Sequence, residues 1–344
     1  MGGNILLSAK NLTVGYTDGI FQNILFENLN IDLRADELVC FMGPNGIGKS
    51  TLIRTLAGLH PPLDLTPACP ARLPKSYGGQ AGRPNPLSRG EGAIPTKISV
   101  VLTDRISAVN MTVEELVTYG RYPYLNWNIK LKKDDIEVIE KAVEFTHIQH
   151  LISKKLYELS DGQLQMAMIA RALAQDTPVI LLDEPTAHLD LNNRVEIMNL
   201  LRKLSRTENK AILVATHELD LALQTADLIW LATLDRKILT GIPEDLVLNG
   251  SFDEIFQFKG FDLKTGKVFH EAHRNMAVNL IGEGHEYLWT KNALERNGFV
   301  ISDSGKPTIT VCLTNTKTRW VISTSPETDF DSLKSLLKKL EKLS

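Results

Sequence analysis

Residues 43–50 of this chain read Gly43-Pro44-Asn45-Gly46-Ile47-Gly48-Lys49-Ser50, and this octapeptide decides the fold. It fits the pattern G-x-x-x-x-G-K-[ST]. The apolar run Leu38–Met42 before it predicts a short buried strand, and a helix is expected from about Lys49 to Leu59. A glycine-rich turn between a strand and a helix directs backbone N–H groups at phosphate oxygens, and the helix N-terminus adds a favourable dipole. The octapeptide therefore predicts a phosphate-binding loop.

The polar residues of this loop have separate predicted tasks. Lys49 is expected to neutralise the β- and γ-phosphates of a nucleotide, and the Ser50 hydroxyl is expected to ligate Mg²⁺. Thr51 gives adjacent support. The other predicted phosphate contacts come from Gly43, Pro44, Asn45, Gly46 and Gly48. The cofactors expected from the loop are ATP and Mg²⁺.

Strands and helices alternate along the first 250 residues. The predicted strands besides Leu38–Met42 are 5–14, 24–33, Ile98–Leu102, Val179–Asp183 and Ala211–Ala215. The predicted helices lie in a helical region of about 112–174, which includes Asp134–Phe145, and near Asn193–Arg206. Such alternation indicates an α/β fold, with a mostly parallel sheet flanked by helices.

The composition is that of an ordinary globular protein, with 43% hydrophobic residues, 23% charged residues and a formal net charge of −3. This balance gives no electrostatic reason to expect nucleic acid as a partner. No apolar run approaches the roughly 20 residues needed to cross a bilayer, and residues 1–10 show no signal-peptide pattern. Cys40, Cys69 and Cys312 have neither metal-ligand nor disulfide-framework spacing. We therefore expect a cytosolic protein.

Residues 60–96 interrupt the regular pattern. This segment holds eight of the fifteen prolines, together with several glycines and scattered arginines, and it shows no period. It is predicted to be loop or disorder. Because loops of this length are uncommon inside compact domains, the segment is either a functional excursion or an anomaly of the sequence itself, such as a shifted reading frame.

The strand Val179–Asp183 ends in two carboxylates, Asp183 and Glu184. Asp183 at the strand tip can hold Mg²⁺ through water. Glu184 beside it can orient or deprotonate an attacking water. Acidic residues also end strands without any function, so this interpretation depends on the phosphate-binding loop upstream.

Between these motifs lies Leu159-Ser160-Asp161-Gly162-Gln163, which resembles the signature sequence of ABC ATPases, usually LSGGQ. The resemblance implies a P-loop NTPase of the ABC type. The family has an aspartate after its acidic strand, matched by Asp190, and a switch histidine after the next strand, matched by His217. It also has an aromatic residue near the N-terminus that stacks on adenine, matched by Tyr16. The catalytic residues implied are Glu184, His217 and Lys49.

The resemblance further implies a dimer that encloses two ATP molecules. Ser160, Gly162 and Gln163 of one copy would cover the γ-phosphate held by Lys49 of the other. A serine hydroxyl and helix N-terminal N–H groups suit an anion. Asp161 replaces the commoner glycine, and we expect it to cap the helix and to be tolerated.

One position departs from the family pattern. The family has a glutamine at the end of the strand before the helical region, where it contacts Mg²⁺, the attacking water and the membrane subunit. The equivalent position here is about Thr103, in Leu102-Thr103-Asp104-Arg105. We hypothesise that Asp104 ligates Mg²⁺ through water.

The run Thr112–Val117 followed by Gly120–Tyr124 is similar to the ATPase subunits of bacterial importers for iron–siderophore complexes, haem and cobalamin. It would lie in a helical subdomain, about 105–175, that docks on the membrane permease. The implied partners are permease subunits, a second copy of the chain and, indirectly, a periplasmic or lipoprotein substrate-binding protein. The implied location is peripheral, on the cytoplasmic face of the inner (cell) membrane.

A non-transport ABC ATPase, for example in iron–sulfur cluster assembly, is the alternative function. A regulatory relative that no longer hydrolyses ATP is a further alternative, although Glu184 and His217 argue against it. DNA-repair relatives need a long coiled-coil insertion between the phosphate-binding loop and the signature, and this sequence has no room for one there. Translation relatives carry two ATPase domains in one chain, whereas this sequence has the motifs of one. Copurification with a polytopic membrane protein separates a transport ATPase from the others.

The last 95 residues differ in style from the first 248, which we assign to the ATPase domain. Residues 250–344 are predicted to form a small α+β accessory domain. Its expected strands are 277–282, 299–302, 308–313 and 319–323, and its expected helices are 285–297 and 329–343. A regulatory or dimer-stabilising role is the hypothesis for this domain.

Overall fold

A computed structural model describes residues 3–18, 21–63, 96–103, 110–125, 130–268, 270, 272–274, 276–314, 317–323 and 328–343. Asp104 and most of the irregular segment 60–96 lie outside these ranges. The chain divides into two compact units, Met1–Gln257 and Phe258–Ser344. The boundary between them lies a few residues after the predicted one at 248–250.

The first unit begins with two long antiparallel strands, β1 (Ile5–Asp18) and β2 (Phe21–Arg34). Both were predicted from sequence, although each is longer than its predicted segment. Their apolar side chains enter the core, where Leu7, Val14 and Phe26 are almost fully buried, although irregularities of the pairing interrupt strict alternation along β1. The pair therefore covers part of the same core that the central sheet of this unit buries.

A six-stranded sheet forms the centre of this unit. Its strands are β3 (Leu38–Met42), β4 (Ile98–Val101), β5 (Val179–Asp183), β6 (Ala211–Ala215), β7 (Leu228–Ala232) and β8 (Ile238–Gly241). Their order across the sheet is β4-β5-β6-β3-β7-β8, and all neighbours are parallel except β7 and β8. Because β3, β5 and β6 are parallel neighbours, their carboxyl ends meet at one edge, where all the predicted catalytic residues follow.

Eight α-helices accompany these strands within the described part of the first unit. They are α1 (Lys49–Leu56), α2 (Val113–Thr118), α3 (Lys133–Phe145), α4 (Asp161–Ala174), α5 (Leu191–Thr207), α6 (Leu219–Thr225), α7 (Pro243–Leu248) and α8 (Ser251–Phe256). The predicted helical region thus consists of three α-helices separated by short 3₁₀ turns. Strands β7 and β8 and helices α6, α7 and α8 were not predicted.

The importer-like run Gly120–Tyr124 packs within the helical region. Arg121 is buried, and its guanidinium pairs with the Asp135 carboxylate at 2.8 Å and donates to the Ala174 carbonyl oxygen at 3.1 Å. A Cβ on Gly120 would lie 2.4 Å from the Arg171 carbonyl oxygen, so only glycine fits there. Both residues therefore hold α2, α3 and α4 together.

The predicted ends of two helices were wrong. Helix α1 ends at Leu56 rather than Leu59, because Gly58 adopts a left-handed backbone conformation (φ 71°) just after it. The last helix of the chain begins at Leu333 rather than 329, because Thr328–Phe330 form a strand instead.

The second unit is a small α+β structure. Its strands are β9 (Phe261–Asp262), β10 (Lys267–Val268), β11 (Ala277–Ile281), β12 (Val300–Ile301), β13 (Thr308–Thr314), β14 (Lys317–Ile322) and β15 (Thr328–Phe330), and its helices are α9 (Gly284–Arg296) and α10 (Leu333–Glu341). Strands β12-β11-β13-β14-β15 form one mixed sheet. Leu294, Ile309, Ile322, Leu336 and Leu340 are fully buried in its core. Within the described ranges of both units, no helix has the length and apolar character to span a membrane.

Candidate nucleotide-binding site

The phosphate-binding loop connects β3 to α1 as predicted. Gly48 has a φ of 110°, and a Cβ there would lie 2.8 Å from the Leu25 side chain, so the position requires glycine. The Lys49 ammonium is buried against its own loop, donating to the carbonyl oxygens of Gly43 at 2.9 Å and Pro44 at 3.2 Å. Burial lowers the pKa of Lys49, and the nearby carboxylates oppose this shift. The loop is thus already folded around the Lys49 ammonium group.

Ser50 and Asp183 meet beside this loop. The Ser50 hydroxyl donates to Asp183 Oδ1 at 3.0 Å. Thr103, at the position of the family glutamine, donates its hydroxyl to the Asp183 backbone oxygen at 3.1 Å. Burial raises the pKa of Asp183, and the hydrogen bond from Ser50 partly opposes this shift. A hydroxyl and a carboxylate are oxygen ligands of the kind that Mg²⁺ prefers, so this pair fits the predicted metal. Asp104, the other predicted ligand, lies outside the described residues.

Glu184 and His217 form a second pair at the same edge of the sheet. Glu184 Oε2 is 2.9 Å from His217 Nδ1, and both side chains are partly exposed. Glu184 has a left-handed backbone conformation (φ 49°), and its N–H donates to the Ala215 carbonyl oxygen at 2.9 Å. A non-glycine residue rarely adopts this φ, so the chain turns sharply directly after β5, and the Glu184 carboxylate meets His217 at this turn.

The signature residues build the start of α4. Ser160 is the N-cap, with its hydroxyl accepting from the Gln163 N–H at 3.3 Å, while Gln163 Oε1 accepts from the Ser160 N–H at 3.2 Å. The expectation that Asp161 caps the helix was therefore wrong, because Ser160 already holds that position. Asp161 lies in the first turn instead, where a carboxylate favours the helix dipole. Contact of Ser160, Gly162 and Gln163 with a phosphate held by a second copy stays a prediction.

Tyr16 lies on β1 and is 43% exposed. Its hydroxyl accepts a hydrogen bond from Asn23 Nδ2 on β2 at 2.7 Å, which fixes one edge of the ring. An anchored, partly exposed ring is suited to stacking on a base. The adenine contact of Tyr16 nevertheless stays a prediction.

Two charged residues near this edge were missed from sequence. Arg194 on α5 pairs with Glu218, the residue after His217, at 2.7 Å. The order Asp190-x-x-x-Arg194 and the acid directly after the histidine were the available signals, but neither is specific alone. Their contact joins positions 24 residues apart, so it appears only in the folded chain.

Comparison with known proteins agrees with this geometry. Residues 26–187 match the family model described as ABC transporter, and residues 275–341 match the iron ABC transporter C-terminal domain. The petrobactin import ATP-binding protein FpuD of Bacillus anthracis is 34% identical over 254 residues, which are 74% of this chain and 87% of that protein. This chain belongs to the ATP-binding proteins of ABC transporters. It is also 30% identical, over 73% of its length and 86% of the relative, to the ferric enterobactin transport ATP-binding protein FepC of Escherichia coli.

A solved structure of this ABC family has the same fold. It is cbiO1 from Clostridium perfringens, part of the ABC transporter complex cbiONQ, with a TM-score of 0.60 and 26% identity over 73% of this chain and 95% of that chain. The predicted P-loop NTPase fold of the ABC type is thereby confirmed, as is the identification of the chain as an ABC transport ATPase.

A cavity of about 70 Å³ adjoins Glu184 in this ABC ATPase. Its lining residues are Leu102, Thr103, Asp161, Leu164, Gln165, Met168, Glu184, Ala187, His188 and Leu189. The position of the missing glutamine, the first turn of α4 and the acidic loop therefore border one space. Thr103 and Asp161, the two departures from the family pattern, both line it.

Proposed function

We propose that this chain hydrolyses ATP to power uptake of an iron chelate of the siderophore class through a membrane permease. The observation that carries the hydrolytic part is the meeting of Ser50 with Asp183 and of Glu184 with His217 at the strand ends beside a buried Lys49. The iron ABC transporter C-terminal model and the petrobactin and ferric enterobactin relatives support the substrate class. They favour an iron chelate over cobalamin.

ATP binding would use the loop, Lys49 and Tyr16. Lys49 would exchange its two carbonyl acceptors for β- and γ-phosphate oxygens, which carry more charge. Backbone N–H groups of residues 43–50 and the N-terminus of α1 would hold the same phosphates. The Tyr16 ring would stack on adenine, since its hydroxyl is already anchored by Asn23.

Ser50 and Asp183 would hold Mg²⁺, with Asp104 as a further candidate through water. A bound Mg²⁺ neutralises phosphate charge as the γ-phosphoryl group leaves. Glu184 would orient the attacking water and accept its proton on Oε1, since Oε2 is paired with His217 Nδ1. His217 would use Nε2 to contact the γ-phosphate.

The proposed assembly is a dimer bound to a permease at the cytoplasmic face of the cell membrane. Ser160, Gly162 and Gln163 of each copy would complete the site of the other. The exposed rings of Tyr119 and Tyr122, whose centroids are 5.8 Å apart, form an apolar patch in the helical region suited to the permease. A periplasmic or lipoprotein substrate-binding protein would deliver the chelate.

The test combines copurification with transport. The tagged full chain should copurify with a polytopic membrane protein from its own cells. Cells that carry Glu184→Gln should lose uptake of radiolabelled ferric siderophore. The ATP turnover of the purified variant should fall by about 100-fold or more, while the variant still binds ATP. Glu196→Gln makes the same change at an exposed position of α5 and should leave both activities unchanged.

Two results would contradict the proposal at different points. Wild-type ATP turnover in Glu184→Gln would remove the proposed catalytic base. Normal siderophore uptake in cells carrying Glu184→Gln, together with lost ATP turnover of the purified variant, would support the catalytic role of Glu184. It would contradict the proposed role of the chain in siderophore uptake.

A further inference from the structure

Arg194 lies in the first turn of α5, and its guanidinium joins two loops of the catalytic edge. Its Nε donates a hydrogen bond to the backbone oxygen of Leu189 at 2.6 Å. Its Nη1 donates to Glu218 Oε1 at 2.7 Å. The rigid fork of an arginine side chain holds two acceptors in one geometry. A single side chain therefore connects the loop 187–190, which follows Glu184, with the segment 216–218, which carries His217.

Glu218 lies between this arginine and the histidine. Its Oε1 is 3.6 Å from His217 Nε2, while His217 Nδ1 is 2.9 Å from Glu184 Oε2. The imidazole thus has a carboxylate near each ring nitrogen. Nε2 is the nitrogen expected to contact the γ-phosphate. In the imidazolium form, in which both ring nitrogens carry protons, Glu218 and the phosphate therefore compete for the same N–H group.

We propose that Arg194 is a positioning residue for ATP hydrolysis, which occupies Glu218 and so leaves His217 Nε2 available to the γ-phosphate. Glu218 is mostly shielded from solvent, with a side chain 19% exposed, and it needs a cationic or hydrogen-bonding partner. Arg194 supplies that partner with a short charge-assisted hydrogen bond. Without it, the His217 ring, whose Nε2 is already 3.6 Å from Oε1, would turn toward Glu218.

The contact with Leu189 adds a second positioning effect. The Leu189 side chain is buried, and its carbonyl oxygen accepts from Arg194, so the backbone leading to Asp190 is fixed on both sides. Asp190 in turn caps α5 by accepting from the Asn193 N–H at 2.9 Å. The first turn of α5 therefore fixes both the loop 187–190, through Asn193 and Arg194, and Glu218, through Arg194.

Steady-state ATPase kinetics of the purified full chain tests this proposal, which rests on the proposed roles of Glu184 and His217. In Arg194→Ala, kcat should fall by about tenfold while KM for ATP changes by less than about twofold, because the phosphate-binding loop is untouched. Arg194→Lys keeps the charge opposite Glu218, so its kcat should stay within about threefold of the wild-type value.

The deciding variant is Arg194→Ala/Glu218→Gln. Removing the Glu218 charge removes the competitor for His217 Nε2, so kcat should recover to within about threefold of the wild-type value. Arg202→Ala is the matched control, because Arg202 also links α5 to the α6 region, through the Gln224 carbonyl oxygen at 3.3 Å, but at the far end of the helix. Its kinetics should equal those of the wild type.

Three outcomes would overturn the proposal. They are an unchanged kcat in Arg194→Ala, a loss confined to KM, and a kcat in the double variant as low as in Arg194→Ala. The last result would mean that Arg194 supports the fold alone. His217→Ala, measured beside these variants, tests the proposed function separately, since normal turnover there removes the histidine role whatever Arg194 does.

Discussion

At the scale of single residues, burial shifts the pKa values of two groups that would face a nucleotide and its metal ion. Lys49 and Asp183 are both at most 7% exposed. Burial lowers the pKa of the lysine and raises that of the aspartate, because each charged form loses hydration. The charged forms of both side chains thus destabilise the folded chain until a ligand of opposite charge binds. Mg²⁺ and ATP phosphates have the charges that each would require.

Asp183→Asn should stabilise the protein in the absence of nucleotide and Mg²⁺. The folded pKa of Asp183 lies above its ordinary value of 3.8, so its favourable contribution is present below that value and is lost as pH rises through the folded pKa. The melting temperature of Asp183→Asn should therefore exceed that of the wild type at pH 7, and the difference should shrink toward pH 4.

The same variant should gain less thermal stability from added Mg²⁺ and ATP than the wild type, because one Mg²⁺ ligand is lost while the phosphate-binding loop is unchanged. The measurement is thermal unfolding with and without EDTA. A lower melting temperature for Asp183→Asn at pH 7 would show that its hydrogen bonds outweigh the desolvation of its charge.

At the scale of elements, the signature helix α4 packs against the start of α5. A Cβ on Gly162 would lie 2.9 Å from Asn193 Nδ2, which donates to Asp190 Oδ2 at 3.0 Å. The glycine therefore has a packing reason within one copy, independent of any contact across a dimer. Asn193, held by the cap of α5, fixes how closely the two helices approach.

Gly162→Ala should destabilise the first unit by about 1–3 kcal/mol, because the added methyl group overpacks this contact. In the Asn193→Ala background the same change should cost less, since the amide that it meets is gone. Chemical unfolding of the wild type, the two single variants and the double variant measures this coupling. Asn192→Ala, an exposed neighbour, is the control background and should leave the cost of Gly162→Ala unchanged. Equal costs in all backgrounds would contradict the proposed contact.

At the scale of the whole molecule, the chain is two compact units with separate cores. The second unit buries one face of α10 through Leu336 and Leu340, while Leu343 just after the helix is 48% exposed. Trp320 in the same core donates its indole N–H to the Thr290 hydroxyl at 2.7 Å, so its one polar group is satisfied. We propose a regulatory or dimer-stabilising role for this unit.

Leu340→Ala should destabilise the second unit by about 2–5 kcal/mol, the usual cost of a cavity in a packed core. Leu343→Ala should change it little, because that side chain is already half exposed. Hydrogen exchange of the backbone amides of β11 and β13 measures the effect locally. Equal protection of these amides in both variants would show that α10 does not stabilise this sheet.

By itself, the sequence determined the features that depend on local order: the phosphate-binding loop, the buried central strands, the acidic strand end and the ABC signature. Local order did not identify β7, β8 and α6 to α8, which span only four to seven residues each. The sequence pattern also suggested Asp161 as the cap of α4, whereas Ser160 holds that position. Local order could not distinguish them, because cap geometry depends on the backbone conformation that the chain adopts.

Which side chains meet depends on the fold of the whole chain. Ser50 and Asp183 are 133 residues apart in sequence, yet they share a hydrogen bond. Thr103 with Asp183, and Arg194 with Glu218, meet in the same way. Parallel strands and a helix beside them bring these positions to one edge, and no local pattern encodes which pairs become neighbours there. The octapeptide Gly43–Ser50 thus specified the kind of site, while the sheet order specified the residues that complete it.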